Sequence, residues 1–225
     1  MLTRDSISSG RYLESFDSLP ADLIWSEERI EQSMLQTLAS EPPDSDIWIF
    51  AYGSLIWNPL LQFAERQRAM LLGWHRSFCI HITAGRARPE TPGRMLAVEP
   101  GGVAQGVAFR LAPDSADQEL RLMWIREMIT GSYVPTWAPV TLADGRTVRA
   151  IVFTANTESS QYRADSSIYT VAPMVSAATG QHGSNADYVL RLQQSLHDFG
   201  MRDSYVSSLT DALRWCQLLP QPEHF

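Results

Sequence analysis

The 225-residue chain contains no lysine; all 18 of its basic residues are arginine. That absence excludes a phosphate-binding loop of the usual kind, whose lysine reaches the nucleotide phosphates. It excludes a Schiff-base lysine, and with it pyridoxal phosphate enzymes and lysine aldolases. Kinase chemistry, which needs a strand lysine, goes the same way. Only two cysteines are present, Cys79 and Cys216. They cannot build a disulfide framework or a cysteine-rich zinc site, and a reducing cytoplasmic setting is the expectation. No uninterrupted apolar run reaches the roughly 18 residues of a membrane span, so no membrane association is expected. Residues 1–18 lack the apolar stretch of a secretory signal. The formal net charge is −7 and the pI about 5.2, a balance ill-suited to neutralising nucleic-acid phosphates. The five histidines, His75, His81, His182, His197 and His224, share no ligand spacing. No metal or cofactor is therefore expected.

What is present is the composition of a folded globule: 44% hydrophobic and 19% charged. Residues 1–46 read as an N-terminal helical extension, and 47–225 as the main domain. In the extension, apolar residues recur at helical spacing from Asp22 to Leu38, with Asp22 or Ser26 as the cap. Glu41-Pro42-Pro43-Asp44 then reads as a linker. Strands are expected over Ile47–Tyr52 and over Ala69–Ile82, the latter interrupted at Gly73. Met95–Glu99 and Val103–Leu111 flank Pro100-Gly101-Gly102 and read as a hairpin. Asp114–Thr130 is helical, capped by Asp114 or Ser115, with Leu120, Met123, Trp124 and Met128 on one face. A second hairpin joins Val134–Leu142 to Thr147–Thr154 through Asp144-Gly145. Three helical stretches follow, Ser167–Thr179, Asn185–Phe199 and Ser204–Leu219, with glycines at 180, 183 and 200 as stops. Strands followed by helices make an α+β fold with a mostly antiparallel or mixed sheet.

The residues that point to chemistry begin at Ile49. There a strand runs through Ala51-Tyr52 directly into Gly53-Ser54-Leu55. Glycine admits close approach of a ligand to the backbone, and successive N–H groups in such a turn can make a concavity for an anion such as a carboxylate. An ordinary strand-ending turn is the commoner meaning of these letters. A serine nucleophile is disfavoured, because the context is not G-x-S-x-G. Trp57, directly after the turn, is a candidate ligand-pocket wall. Next comes Gly73-Trp74-His75-Arg76-Ser77-Phe78, in which the period of two sends His75 and Arg76 to opposite faces. Farther on, Glu127 shares a helical turn with Met123 and Trp124. A carboxyl held against apolar neighbours has a raised pKa and suits a general acid/base. The competing meaning is a solvated glutamate paired with Arg126 or Arg121. Cys79, between Phe78 and Ile80, reads as a small buried hydrophobe.

Taken in order, these segments resemble the ChaC-like family, γ-glutamylcyclotransferases acting on glutathione. The resemblance rests on the eleven residues from Ile49, Trp74 to Phe78, Pro92-Gly93-Arg94, Gly106 to Arg110, and Arg126-Glu127 with Gly131-Ser132-Tyr133. Gly180, Gly183-Ser184 and Tyr188 extend it, so that it runs from about Trp48 to about Gly200. It implies a small mixed β-barrel with surrounding helices. It implies that Tyr52, Gly53, Ser54 and Leu55 cradle the γ-glutamyl group and that Glu127 is the catalytic residue. Arg76 and Tyr162 match further binding positions, the latter within Ser160-Gln161-Tyr162-Arg163. The first 45 residues have no counterpart in minimal family members.

The implied reaction closes a ring within one substrate. The α-amine of a γ-glutamyl peptide attacks its own γ-carbonyl, forms 5-oxoproline and expels an amine, Cys-Gly in the case of glutathione. It consumes no water and needs no cofactor, which agrees with a lysine-free chain. Two alternatives stand beside it: a cyclotransferase for other γ-glutamyl amines or amino acids, and a catalytically idle relative that binds a γ-glutamyl ligand. Retention of Glu127 argues against the idle relative.

Overall fold

The computed structural model describes residues 2–40 and 46–218. The expected linker at 41–44, Leu219 and His224 lie outside them. Five strands close a barrel in the order β1-β3-β2-β4-β5. These are β1 (Trp48–Ala51), β2 (Phe63–Ile82), β3 (Gly93–Leu111), β4 (Tyr133–Leu142) and β5 (Thr147–Ala155). Neighbours pair antiparallel except β1 with β5, which run parallel through Trp48 opposite Ala150. The expected α+β class with a mixed barrel is what the chain forms.

One expected hairpin is absent. Residues 93–111 form one strand, paired along most of its length with β2. Pro100-Gly101-Gly102 marks a bend in that strand instead of a turn between two. The register slips between Leu72 and Trp74, at Gly73, directly opposite this bend. Gly73, Gly101 and Gly102 all adopt positive φ, which side chains disfavour. Both strands are therefore irregular at the same level, and their pairing resumes on either side of it.

Helices cover the barrel: α1 (Arg4–Ser8), α2 (Arg11–Glu14), α3 (Glu27–Leu38), α4 (Ala116–Met128), α5 (Ile168–Ala177), α6 (Asn185–Asp198) and α7 (Ser204–Leu218). Ser26 caps α3, accepting from the Arg29 amide. Short α1 and α2 were not among the expected elements. The expected apolar face of α4 is buried through Leu120, Met123, Trp124 and Met128. Trp124 meets Phe153 of β5 edge to face at 5.2 Å and donates to Ser33 of α3. Truncating a ring so placed costs about 3–5 kcal/mol. This packing fixes the end of α4, where Arg126 and Glu127 sit.

Candidate active site

A cavity of about 340 Å³ opens where the end of β1, the end of α4 and the start of α6 converge. Its wall includes Tyr52, Gly53, Ser54, Leu55, Trp57, Glu127, Tyr133 and Tyr188. The turn after β1 is one coil of 3₁₀ helix, Ser54–Ile56, closed by bonds from the Ile56 and Asn58 amides to Gly53 and Ser54. Gly53 has negative φ, so a left-handed backbone is not what requires glycine here. Space is: a Cβ at this position would stand 2.8 Å from the Tyr188 hydroxyl and 3.3 Å from Leu96.

Arg126 organises this corner. Its guanidinium donates to the Asn58 carbonyl at 2.7 Å and to Ser54 Oγ at 2.8 Å. Its Nε lies 3.2 Å from Glu127 Oε1. Glu127 is neither solvated nor without a charged partner. It does pair with Arg126, but in the cavity wall, where its side chain keeps only 17% of its exposure. Burial raises the Glu127 pKa above the ordinary carboxylate value, and Arg126 opposes that rise. Among the described residues no histidine or carboxylate is bonded to Ser54 Oγ, so nothing activates it as a nucleophile.

Four tyrosines surround the carboxylate, and three of them spend their hydroxyl protons on backbone carbonyls. Tyr12 donates to Arg126, Tyr52 to Phe153 and Tyr133 to Leu96. Tyr188 differs: its hydroxyl oxygen lies against Gly53 of the turn, 2.8 Å from where a Cβ would stand. Its own proton has no protein acceptor among the hydrogen bonds of the described residues. Burial, with Glu127 nearby, pushes the Tyr188 phenol up to about 12, so it is protonated at neutral pH. The glycine pair foreseen at 180 and 183 builds this wall. Strands β6 (Thr179–Gly180) and β7 (Gly183–Ser184) make a tight turn, and Ser184 caps α6. Tyr188 follows one turn later.

Two expected site residues are elsewhere. Arg76 is enclosed, its guanidinium bonded to Asp203 at 2.9 Å, to the Tyr52 carbonyl at 2.8 Å and to the Gln105 carbonyl. Asp203 in turn caps α7 through the Val206 amide. Arg76 is not in the cavity wall; it braces the residue from which the turn departs. Tyr162 also faces away, donating to Glu99 at 2.7 Å. Residues 161–163 pair with β2, by His81 N–H to Gln161 and Arg163 N–H to Cys79. Alternation sends Gln161, not Tyr162, into the cavity. Gln161 there accepts from Ser132 at 2.6 Å.

Other wall residues have no role assigned from the sequence. Arg86 and Arg191 line the cavity beside Asp187 and His182. Arg86 lies over the Tyr188 ring at 5.4 Å and donates to the Ser184 carbonyl. Tyr12, Phe16 and Leu19 come from the N-terminal segment. Their signal was weak, because each is a lone residue on an element distant in sequence. Trp57, expected as a wall, is one, with its ring 5.3 Å from that of Tyr188. Cys79 is fully buried, and burial pushes its thiol up to about 12. Among the described residues no group of three or more side chains could hold a metal ion, and no helix is long and apolar enough to cross a membrane.

A family model described as ChaC-like protein matches residues 47–215. The chain belongs to the ChaC-like family. Among relatives of this ChaC-like chain, the glutathione-specific γ-glutamylcyclotransferase of Escherichia coli is 45% identical over 93% of this chain and 90% of its own length. Human glutathione-specific γ-glutamylcyclotransferase 1 is 26% identical over 74% of this chain and 78% of its own. A solved yeast γ-glutamyl cyclotransferase specific to glutathione superposes with a TM-score of 0.70, at 20% identity, over 76% of this chain and 97% of that one. The ChaC-like barrel is thus shared with a solved structure at low sequence identity.

Proposed function

We propose that this chain is a glutathione-specific γ-glutamylcyclotransferase, with Glu127 as its general acid/base. The observation that carries the reading is a buried carboxylate beside the Gly53-Ser54 turn, in a cavity sized for a small molecule. The residue 53–55 turn would receive the glutamyl carboxylate and hold the substrate folded back on itself. Such positioning contributes several kcal/mol towards an intramolecular attack. The α-amine is mostly protonated at neutral pH, so one proton leaves to solvent first and the free amine is the species that reacts. Glu127 takes a proton from that nitrogen as its lone pair attacks the γ-carbonyl carbon. The tetrahedral centre collapses, the γ-amide C–N bond breaks, and Glu127 returns the proton to the departing Cys-Gly amine. Tyr188, with an uncommitted hydroxyl proton, is suited to the carbonyl oxygen as negative charge develops there. Arg126 holds Ser54, Asn58 and Glu127 in one frame. Arg86 and Arg191 supply positive charge for the second carboxylate, on glycine.

The test is kcat/KM for glutathione, γ-glutamyl-alanine and γ-glutamyl-lysine, before and after prolonged EDTA treatment. Glutathione is expected to be preferred by at least about tenfold, since binding of the remote dipeptide can be used to orient the reacting end. EDTA is expected to change nothing. A clear preference for either short substrate contradicts the specificity, and loss with EDTA reversed by zinc contradicts the mechanism.

A further inference from the structure

The family match begins at residue 47, yet the cavity wall includes Leu2, Tyr12, Phe16 and Leu19. We propose that residues 2–19 complete the active site and that Tyr12 is a positioning residue for Glu127. The segment is fastened to the helix that carries Glu127. Arg4 of α1 grips Glu119 of α4 with both oxygens engaged, at 2.5 and 2.9 Å, and also donates to the Leu60 carbonyl. Glu119 is wholly buried. A carboxylate in that position without its cation would be strongly destabilising, so docking of α1 and the burial of α4 go together. Asn58, in the turn itself, donates to the Leu2 carbonyl.

Helix α2 then contributes Tyr12 to the cavity wall. At one side the Tyr12 hydroxyl donates to the Arg126 carbonyl at 3.2 Å. At the other, the Tyr12 ring lies against His182, with centroids 5.8 Å apart, and Ser15 Oγ meets His182 Nε2 at 2.9 Å. The segment therefore bridges the end of α4 to the turn before α6. The titratable groups that share the cavity wall with Glu127 and act on it electrostatically are Arg126 on its own helix, Tyr12 from α2, Tyr52 at the end of β1, Tyr133 on β4 and Tyr188 on α6. Of these Tyr12 alone comes from outside the residues that the family model matches. It removes water from one side of the carboxylate and fixes the peptide group leading into Glu127.

Turnover in the test rests on the cyclotransferase reading; the titration does not. The Glu127 carboxyl is titrated by carbon-13 NMR, assigned with Glu127→Gln, in the wild type, Tyr12→Phe and Tyr12→Ala. Release of 5-oxoproline and melting temperature are measured alongside. Tyr12→Ala hydrates the carboxylate, so Glu127 is expected to titrate at lower pH. Its kcat is expected to fall at least about tenfold, the low end of what misplacing a catalytic group costs, with KM changed less. Tyr12→Phe keeps the ring that excludes water but loses the bond to the Arg126 carbonyl, and is expected to restore the wild-type titration and only part of kcat. Should Tyr12→Ala fail to fold, Tyr12→Leu is read in its place. A Glu127 titration unmoved in the folded variant, with activity lost only in proportion to melting temperature, overturns the proposal. An inactive wild type whose Glu127 still shifts with Tyr12 would overturn the cyclotransferase reading and leave the role of Tyr12 standing.

Discussion

At residue 127 two influences compete for one proton. Withdrawal from water favours the neutral acid, and the Arg126 guanidinium at 3.2 Å favours the carboxylate. Burial wins, so the folded protein holds this proton to higher pH than a free glutamate would. A base must be ionised to act. The acid limb of kcat/KM against pH is therefore expected to lie above the ordinary carboxylate value of 4.5. Activity should be lost as pH falls through that limb, and replacing Glu127 should remove it. A limb at or below the ordinary value would mean that Arg126, not burial, sets the ionisation.

The turn after β1 shows what an element adds to its residues. Gly53 is there because Tyr188 arrives from α6, 135 positions farther along the chain. Gly53→Val should force that hydroxyl aside and fill the concavity. Isothermal titration with a non-reacting glutathione analogue is expected to show binding weakened at least about tenfold, the scale of a lost charge-assisted hydrogen bond. Ser54→Ala should weaken it less, since Ser54 Oγ is already held by Arg126. Equal affinity in Gly53→Val would remove the turn from the binding site. The same turn explains what could be read from sequence. Strand β1 and the buried face of α4 are local patterns that spacing carries, whereas spacing alone leaves the glycine-serine turn and Glu127 open, and the family resemblance is what singles them out. The bend at Pro100-Gly101-Gly102 uses the same residues as a hairpin, and only its pairing with Gly73 distinguishes them. Arg76 and Tyr162 were drawn to the site by resemblance, whereas contacts with Asp203 and Glu99 turn them away. Tyr12, Gln161 and Arg86 meet in the cavity through the tertiary fold, which no single window of sequence displays.

Across the whole molecule, the barrel is a device for bringing distant segments to one carboxylate. Strand β1 delivers the turn, α4 the proposed acid/base, α6 the phenol, and residues 2–19 cover what remains. Arg86 and Arg191, two of the 18 arginines of a lysine-free, acidic chain, line the cavity, where they are proposed to receive the glycine carboxylate of the substrate. The central claim is that Glu127 moves the proton in a ring closure. The most direct measurement is release of 5-oxoproline and Cys-Gly from glutathione by the wild type and by Glu127→Gln, with binding of a glutathione analogue measured on both. The account predicts both products from the wild type in equal amounts, at least about a hundredfold loss of turnover in the variant, and binding retained. Near-native turnover by Glu127→Gln, or an inactive wild type, would contradict it.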